Sequence, residues 1–489
     1  MRWPPPAYGS LVNQHVARLE PLSAECADRP RDELDKRAQV DRLRERLDSS
    51  AQVAIEQRTR EVGARLDIRR VRATTQRGGH FFGRGQHCVA NHFEPNRVEV
   101  IHRVRPTTIE RMRISDIKTF LIAGPGHNMI LVKIETDEGL YGIGEGSLAG
   151  RDQGVLGVMQ HLKPLLIGRD PSRVEDIWQE CYRNTFWRGG PVLLSAISGI
   201  DIALWDLKGK RLGVPVYDLL GGKTRDQVRV YTHLNGAIDD ELCERALEKI
   251  EQGYTALRFV PALFNAQPWD ADKSVRATVR TFEKLRHAVG EDIDLMIDVH
   301  HRFTPMQNVR LGQAIQAYAP FFIEDPIPPD NLQSYALMRS KIDVPLATGE
   351  AMVTKWSFKY LIENELIDYL RVDPVHAGGI TETKKIAVMG EVHSIDLALH
   401  NPSSPVCAAT CIHLDASVLN FGIQESVGQS DVMREIFPVQ PEIVRGYFEV
   451  SDRPGLGLEF DEAAAVMHTT TRLTELPHLR RADGSVTDW

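Results

Sequence analysis

LMIDVHHRFTP, residues 295–305, runs through three apolar residues and then delivers Asp298, His300, His301 and Arg302. A segment that starts as a buried strand and ends in ionisable groups suits a parallel α/β fold, where strand bodies fill the core and their C-terminal ends carry the chemistry. The same construction recurs downstream. PFFIED (320–325) supplies Glu324 and PLATGE (345–350) supplies Glu350, each 26 residues after the preceding carboxylate. That interval is one strand plus a helical crossover. Working outward, VRVYTHL (228–234), ALRFV (256–260), YLRVD (369–373), LALHN (397–401) and NFGIQE (420–425) complete a set of eight apolar strands. Eight strands with crossovers of helical length predict an α/β fold, a (β/α)8 TIM-type barrel over 228–428. A doubly wound sheet would announce itself with a Gly-rich first turn, and none is present. LLGGKT (219–224) is not a P-loop, because the position five before Gly222 is Tyr217.

Upstream the pattern differs. RISDIKTFLI (113–122), MILVKIETDEG (129–139) and YGIGEGS (141–147) read as an antiparallel meander. Helical stretches follow in VEDIWQECYRNTFW (174–187) and AISGIDIALWDLKGKRLG (196–213). Strands first and helices after predict an α+β domain over 112–227. Residues 1–111 hold 20 arginines against one lysine, with acids interspersed and no sustained hydrophobic period. They are expected to be a disordered extension, or upstream sequence translated from a mis-called start.

Composition excludes several classes of function. Beyond residue 111 the chain carries 38 basic and 52 acidic residues. An acidic body argues against nucleic-acid partners. No run of eighteen apolar residues is present, so no membrane span is expected. The six cysteines form no C-x-x-C pair, and the expected compartment is the cytoplasm.

Asp298, Glu324 and Glu350 at equivalent ends of adjacent parallel strands would converge on one face. Such a cluster repels itself unless a hard cation sits in it, and Mg²⁺ prefers oxygen ligands. The sixth strand adds Arg371, Asp373 and His376, the seventh His400, the eighth Glu425. Asp373 and His400, on neighbouring strand ends, are placed for a carboxylate–imidazole hydrogen bond. His300 follows Asp298 by two, so strand alternation would turn both to one face.

Taken jointly, ALWDLKGK (203–210), the carboxylate series, Asp298-x-His300, HAGGIT (376–381) and the Asp373, His400, Glu425 spacing resemble the enolase superfamily in its sugar-acid dehydratase branch. HNPSSP (400–405) is similar to galactonate dehydratases; YRNTFWRGGP (182–191) and DVHHRFTP (298–305) are similar to mannonate dehydratase-like proteins. The resemblance implies an α+β capping domain over the barrel and a C-terminal segment, 429–489, returning to the cap. It implies Mg²⁺ held by Asp298, Glu324 and Glu350, and specificity shaped by cap loops near 122–128 and 145–151. It further implies a small anionic substrate contacted by His233 and Arg371, and a homo-oligomer.

The expected reaction removes the proton beside a carboxylate and expels the 3-hydroxyl, giving a 2-keto-3-deoxy acid. His400, oriented by Asp373, is the expected base, His300 the acid, and Glu425 the partner of the developing oxyanion. ALRFVP offers Arg258 where other branches place Lys-x-Lys, and arginine rarely serves as a base. PALFNAQPWDADKS (261–274) lacks the tyrosine of mannonate-type enzymes, which favours D-galactonate or D-gluconate. The alternatives are a hydroxy-acid racemase or epimerase, and a catalytically degenerate sugar-acid sensor.

Overall fold

Apolar residues alternate along ISDIKTFLI, and in the computed structural model this segment is the first strand of an antiparallel meander. The structure describes residues 112–124, 126–234 and 239–488; the expectation for 1–111 lies outside the described residues. Strands β1 (Ile114–Ile122), β2 (Met129–Thr136) and β3 (Tyr141–Glu145) pair in that order. Their apolar face packs on helices Asp152–Leu166 and Pro191–Leu212 through Ile130, Val132, Val155, Met159, Ile197 and Ile200. Gly142 and Gly144 let the long helix touch β3 directly: a Cβ on Gly144 would overlap the Gly199 carbonyl. The helix expected over 174–187 ends at Arg183 with Asn184 as its C-cap, and Gly189 and Gly190, both at positive φ, turn the chain into the long helix. Phe186 and Trp187 are left exposed.

The eight strands expected downstream all form. They are β4 (Gln227–His233), β5 (Ala256–Phe259), β6 (Asp294–Asp298), β7 (Phe322–Glu324), β8 (Leu346–Thr348), β9 (Tyr369–Leu370), β10 (Asp396–Leu397) and β11 (Gln424–Ser426). All are parallel, in one path β11-β4-β5-β6-β7-β8-β9-β10. Between β10 and β11 there is no regular ladder. They meet at an isolated bridge, Leu397 with Phe421, where Leu397 N–H donates to Asn420 O (2.8 Å) and Gly422 N–H to Leu397 O (2.9 Å). Tyr231, Ala256, Met296, Phe322, Ala347, Ala398 and Ile423 fill one face of this sheet. The opposite face packs on the crossover helices.

HAGGIT is explained by the contact between the two parts. Asp201 on the long cap helix accepts from Thr381 N–H (2.9 Å) and Thr381 Oγ1 (2.5 Å), and Trp178 Nε1–H donates to Gly378 O (2.7 Å). Gly379 has φ +78° and lies so close to the Asp201 carboxylate that a Cβ would overlap it. Only glycine fits there.

Candidate active site

The site lies where β4 to β11 end. Beyond β6 the chain does not continue as a strand: His300 and His301 have φ +52° and +61°, and Asp298 Oδ1 accepts the His300 N–H (2.8 Å). His300 therefore reaches the site through a left-handed turn, and the expected strand alternation is corrected on this point. The turn is held on the other side by a capping box, Thr304 with Gln307, that starts helix Pro305–Ile315.

Glu324, Asp325 and Glu350 each offer a carboxylate oxygen within 4.8 Å of the others, close enough to share one ion. The third member differs from the expected Asp298. Asp298 Oδ2 lies 2.8 Å from the Arg258 guanidinium, a buried ion pair that holds it aside. Asp325, with φ +40°, is turned into the cluster, where it accepts from Thr348 Oγ1 and from Gly349 N–H (3.2 Å) and faces His301 Nε2 at 3.4 Å. Neither Asp325 nor Arg258 was assigned to the site from sequence. Their signal was the acid next to Glu324 and a lone guanidinium on a buried strand.

The cluster is short of positive charge. Burial, with Asp298 and Glu425 nearby, outweighs Arg371 and Arg258 and pushes the Glu324 carboxyl up to about 8. Burial also raises Glu350, helped by Asp325 and Asp298. Glu324 Oε2 and Asp325 Oδ2 are buried without a hydrogen bond. Hard oxygen donors with unsatisfied lone pairs and surplus negative charge fit a divalent cation.

Arg371 is completely buried. Its Nε donates to Glu324 Oε1 (2.9 Å), its Nη2 to Glu425 Oε2 (2.7 Å) and its Nη1 to Ala398 O (2.8 Å). Where a substrate contact was expected of it, these donors hold the two glutamates. Glu425 also accepts from Asn401 N–H (2.8 Å) and pairs with His233 Nε2 (2.6 Å). Despite burial, Arg371, His400 and His233 hold Glu425 well below the usual carboxylate range. Held this way, Glu425 orients His233, the neighbour through which the expected role at an oxyanion would act. His233 does line an open cavity of about 630 Å³, with His127, Met129, Ser403, Gln429 and Ser430.

His400 Nδ1 lies 2.8 Å from Asp373 Oδ2, as expected, and its Nε2 points at Glu350 Oε2, 3.2 Å away. Burial pulls this imidazole down, but Glu350, Glu425 and Asp373 prevail and carry it up to about 10. His300 Nε2 lies 4.0 Å from the other oxygen, Glu350 Oε1. The two imidazoles thus face opposite oxygens of one carboxylate. Asp373 also faces His376 Nε2 (3.4 Å), whose Nδ1 meets Ser195 Oγ from the cap (3.2 Å).

Residues 110–221 match the mandelate racemase / muconate lactonizing enzyme N-terminal domain, and residues 241–464 match the enolase C-terminal domain-like family. The chain belongs to the mandelate racemase / muconate lactonizing enzyme family. Among the members of that family similar to it is a D-mannonate dehydratase of Sphingomonas sp. (strain SKA58), 40% identical over 403 residues, covering 77% of this chain and all of the relative. A D-galactonate dehydratase family member, RspA of Pantoea ananatis (strain LMG 20103), is 39% identical over 387 residues, covering 72% of this chain and 93% of the relative. A crystal structure of an enolase from Pantoea ananatis with bound D-gluconate and Mg superposes with a TM-score of 0.74 at 38% identity. It covers 77% of this chain and 100% of its own. The family fold, an N-terminal cap with a TIM barrel, accounts for the meander and the eight-strand sheet.

Proposed function

We propose that this protein is a sugar-acid dehydratase, a hydro-lyase that converts an aldonate such as D-galactonate or D-gluconate into its 2-keto-3-deoxy acid. The observation that carries the reading is the Asp373–His400 pair, whose Nε2 faces the carboxylate cluster at Glu350. Glu324 and Glu350, with Asp298 or Asp325, would hold Mg²⁺, which when bound supplies positive charge against the substrate carboxylate. With a cation's charge set against Glu350, the His400 ring would give up its Nε2 proton and be free to take the α-proton there, while Asp373 keeps the other ring proton on Nδ1. The charge of Glu350 and Glu425 favours the imidazolium that results. His300, at the other oxygen of Glu350, gives its proton to the departing 3-hydroxyl. Arg371 and Glu425 position Glu324 and His233, and His233 with His127 faces the sugar hydroxyls. The loop after β5 has no tyrosine, which favours galactonate or gluconate over mannonate.

The same reading takes 228–428 as a closed (β/α)8 barrel, 112–227 as its cap and 429–489 as a segment returning to the cap. It takes the protein as a cytoplasmic homo-oligomer with a small anionic substrate and no nucleic-acid or membrane partner. Among the described residues no helix is long and apolar enough to cross a membrane. Placement of two imidazoles about Glu350 also suits racemisation or epimerisation. Incubating the protein with aldonates, Mg²⁺ and deuterated water separates the readings: 2-keto product that disappears with a chelator supports dehydration. Exchange of the α-proton without loss of hydroxyl would replace it with epimerisation. Binding without turnover would leave a sensor.

A further inference from the structure

The chain beyond helix Glu462–Met467 lies against loops on both sides of the candidate site. Thr469 bridges Ile122, and Thr470 N–H donates to Leu121 O (2.8 Å). The chain then meets Asp152, a buried carboxylate that the reaction does not use. Asp152 Oδ2 accepts from Thr474 N–H (2.7 Å) and from Asn128 Nδ2 (3.0 Å), and Oδ1 from Thr474 Oγ1 (3.4 Å). Asn128 closes the knot, donating from Nδ2 to Arg472 O (2.6 Å) and from N–H to Thr474 Oγ1 (2.9 Å). Leu476 seats on Gly150, where a Cβ would stand 2.5 Å from Leu476 Cδ1.

Farther on, Asp483 and Gly484 make a turn, with Asp483 Oδ1 accepting Ser485 N–H (2.9 Å) and Gly484 at φ +86°. It presents Arg480 to the loop after β5, where Trp269 N–H donates to Arg480 O (2.9 Å) and Arg480 N–H to Gln267 Oε1 (3.3 Å).

Each loop so held ends on a candidate catalytic group. Beside Asn128, His127 Nε2 lies 3.2 Å from Ser403 Oγ, three residues after His400. Trp269 stacks on Phe303 at 6.1 Å; Arg302 covers Phe264 at 3.4 Å; and Phe264 sets its edge on His300 at 5.7 Å.

We propose that the C-terminal strap, 469–488, is a positioning element for the substrate, and that Asp152 is the positioning residue locking it to the cap. The strap sets the distance between the cap loop with His127 and the barrel loop with Phe264, and so the width available to a sugar acid between His300 and His400. This rests on the dehydratase reading for its substrate, but not for its geometry. A buried carboxylate satisfied by fixed donors makes the lock specific, since losing the strap leaves Asp152 without the Thr474 donors.

The test uses the full chain with Mg²⁺, as wild type, as Asp152→Ala and as the isosteric Thr474→Val, alongside a chain ending at 468. Hydrogen exchange read peptide by peptide should rise about tenfold or more around His127–Asn128 and over 262–269 in the variants, while β6 to β8 stay protected. With D-gluconate or D-galactonate, KM should rise about tenfold with a smaller fall in kcat, the signature of lost uniform binding. Adding Asp152→Ala to the shortened chain should change exchange and KM less than it does in the full chain, because only its bond from Asn128 is left to lose. Unchanged exchange at both loops overturns the proposal, as does loosened loops with wild-type KM. If Asp152→Ala does not fold, Thr474→Val decides by the same readings. If the wild type turns over no aldonate, the functional reading falls, and exchange alone decides the strap.

Discussion

Replacing Asp373 by asparagine tests the reaction at its most specific point. Asp373 is completely buried, and its two oxygens do different jobs. Oδ1 accepts Val375 N–H (2.7 Å) at the start of a short helix, and Oδ2 faces His400 Nδ1 (2.8 Å) and His376 Nε2 (3.4 Å). Asparagine has one oxygen and one NH₂ for these two sides. If the oxygen keeps Val375, the NH₂ faces His400, whose Nδ1 must become an acceptor. The ring proton then moves to Nε2, the atom that should receive the α-proton. If instead the oxygen faces the imidazoles, the NH₂ meets Val375 N–H, donor against donor. Either arrangement removes the base in its working tautomer, and kcat should fall by about 10²–10⁴-fold. KM should change little, and calorimetric Mg²⁺ affinity should stay close to wild type, because Asp373 lies outside the cluster of Glu324, Asp325 and Glu350. Initial rates of 2-keto-3-deoxy acid formation at saturating Mg²⁺ measure the effect, with circular dichroism confirming the fold. A variant that keeps a kcat within about threefold of wild type would refute the assignment of His400 as base, since a tenfold change already represents about 1.4 kcal/mol of barrier.

Glu350→Gln should weaken Mg²⁺ binding at least tenfold by calorimetry, and comparing Asp298→Asn with Asp325→Asn identifies the third ligand; unchanged affinity in all three places the cation elsewhere. Glu145 at the end of β3 accepts from Ser147 Oγ (2.5 Å), Ser404 Oγ (2.5 Å) and Cys407 N–H (3.2 Å), and burial pushes it up to about 7. The folded state therefore keeps a proton that the unfolded chain releases near 4.5, so stability falls as pH rises from about 4.5 to 7. Glu145→Gln lacks that titration, and relative to wild type it should gain on the order of 1–3 kcal/mol between pH 5 and pH 8 in urea unfolding; an equal difference at both pH values would contradict the burial argument. Gly144→Ala should cost about 1–3 kcal/mol and lower Tm, because a Cβ meets the backbone of Gly199 and Ala203; an unshifted Tm would deny the close approach.

The legible part of the fold was the periodic part. Strand bodies such as DLMID and FFIE are apolar because both faces are buried, and the spacing of Asp298, Glu324 and Glu350 follows from the length of one strand and one crossover. The Asp373–His400 pair was legible for a related reason. Its two residues end neighbouring parallel strands, so strand order alone brings them together. The long cap helix is also legible, whereas the helix expected over 174–187 stops at Arg183 and leaves Phe186 and Trp187 exposed.

By itself, then, the amino-acid order determined which elements form, that their ends would gather acids and imidazoles, and that those acids exceed the local cations. Which oxygen faces which partner depends on contacts between segments far apart in the chain. Asp298 turns to Arg258 while Asp325 enters the cluster, and Arg371 donates to both Glu324 and Glu425. Asp152, a residue at the start of a helix with no visible chemistry, becomes the meeting point of three distant segments. The reason is physical. Strand and helix propensity act over a few residues, whereas the charge balance of a buried site is settled among groups contributed by β5, β6, β7, β9 and β11, each competing for the same few counter-charges at distances of about 3 Å, where Coulomb energies are largest.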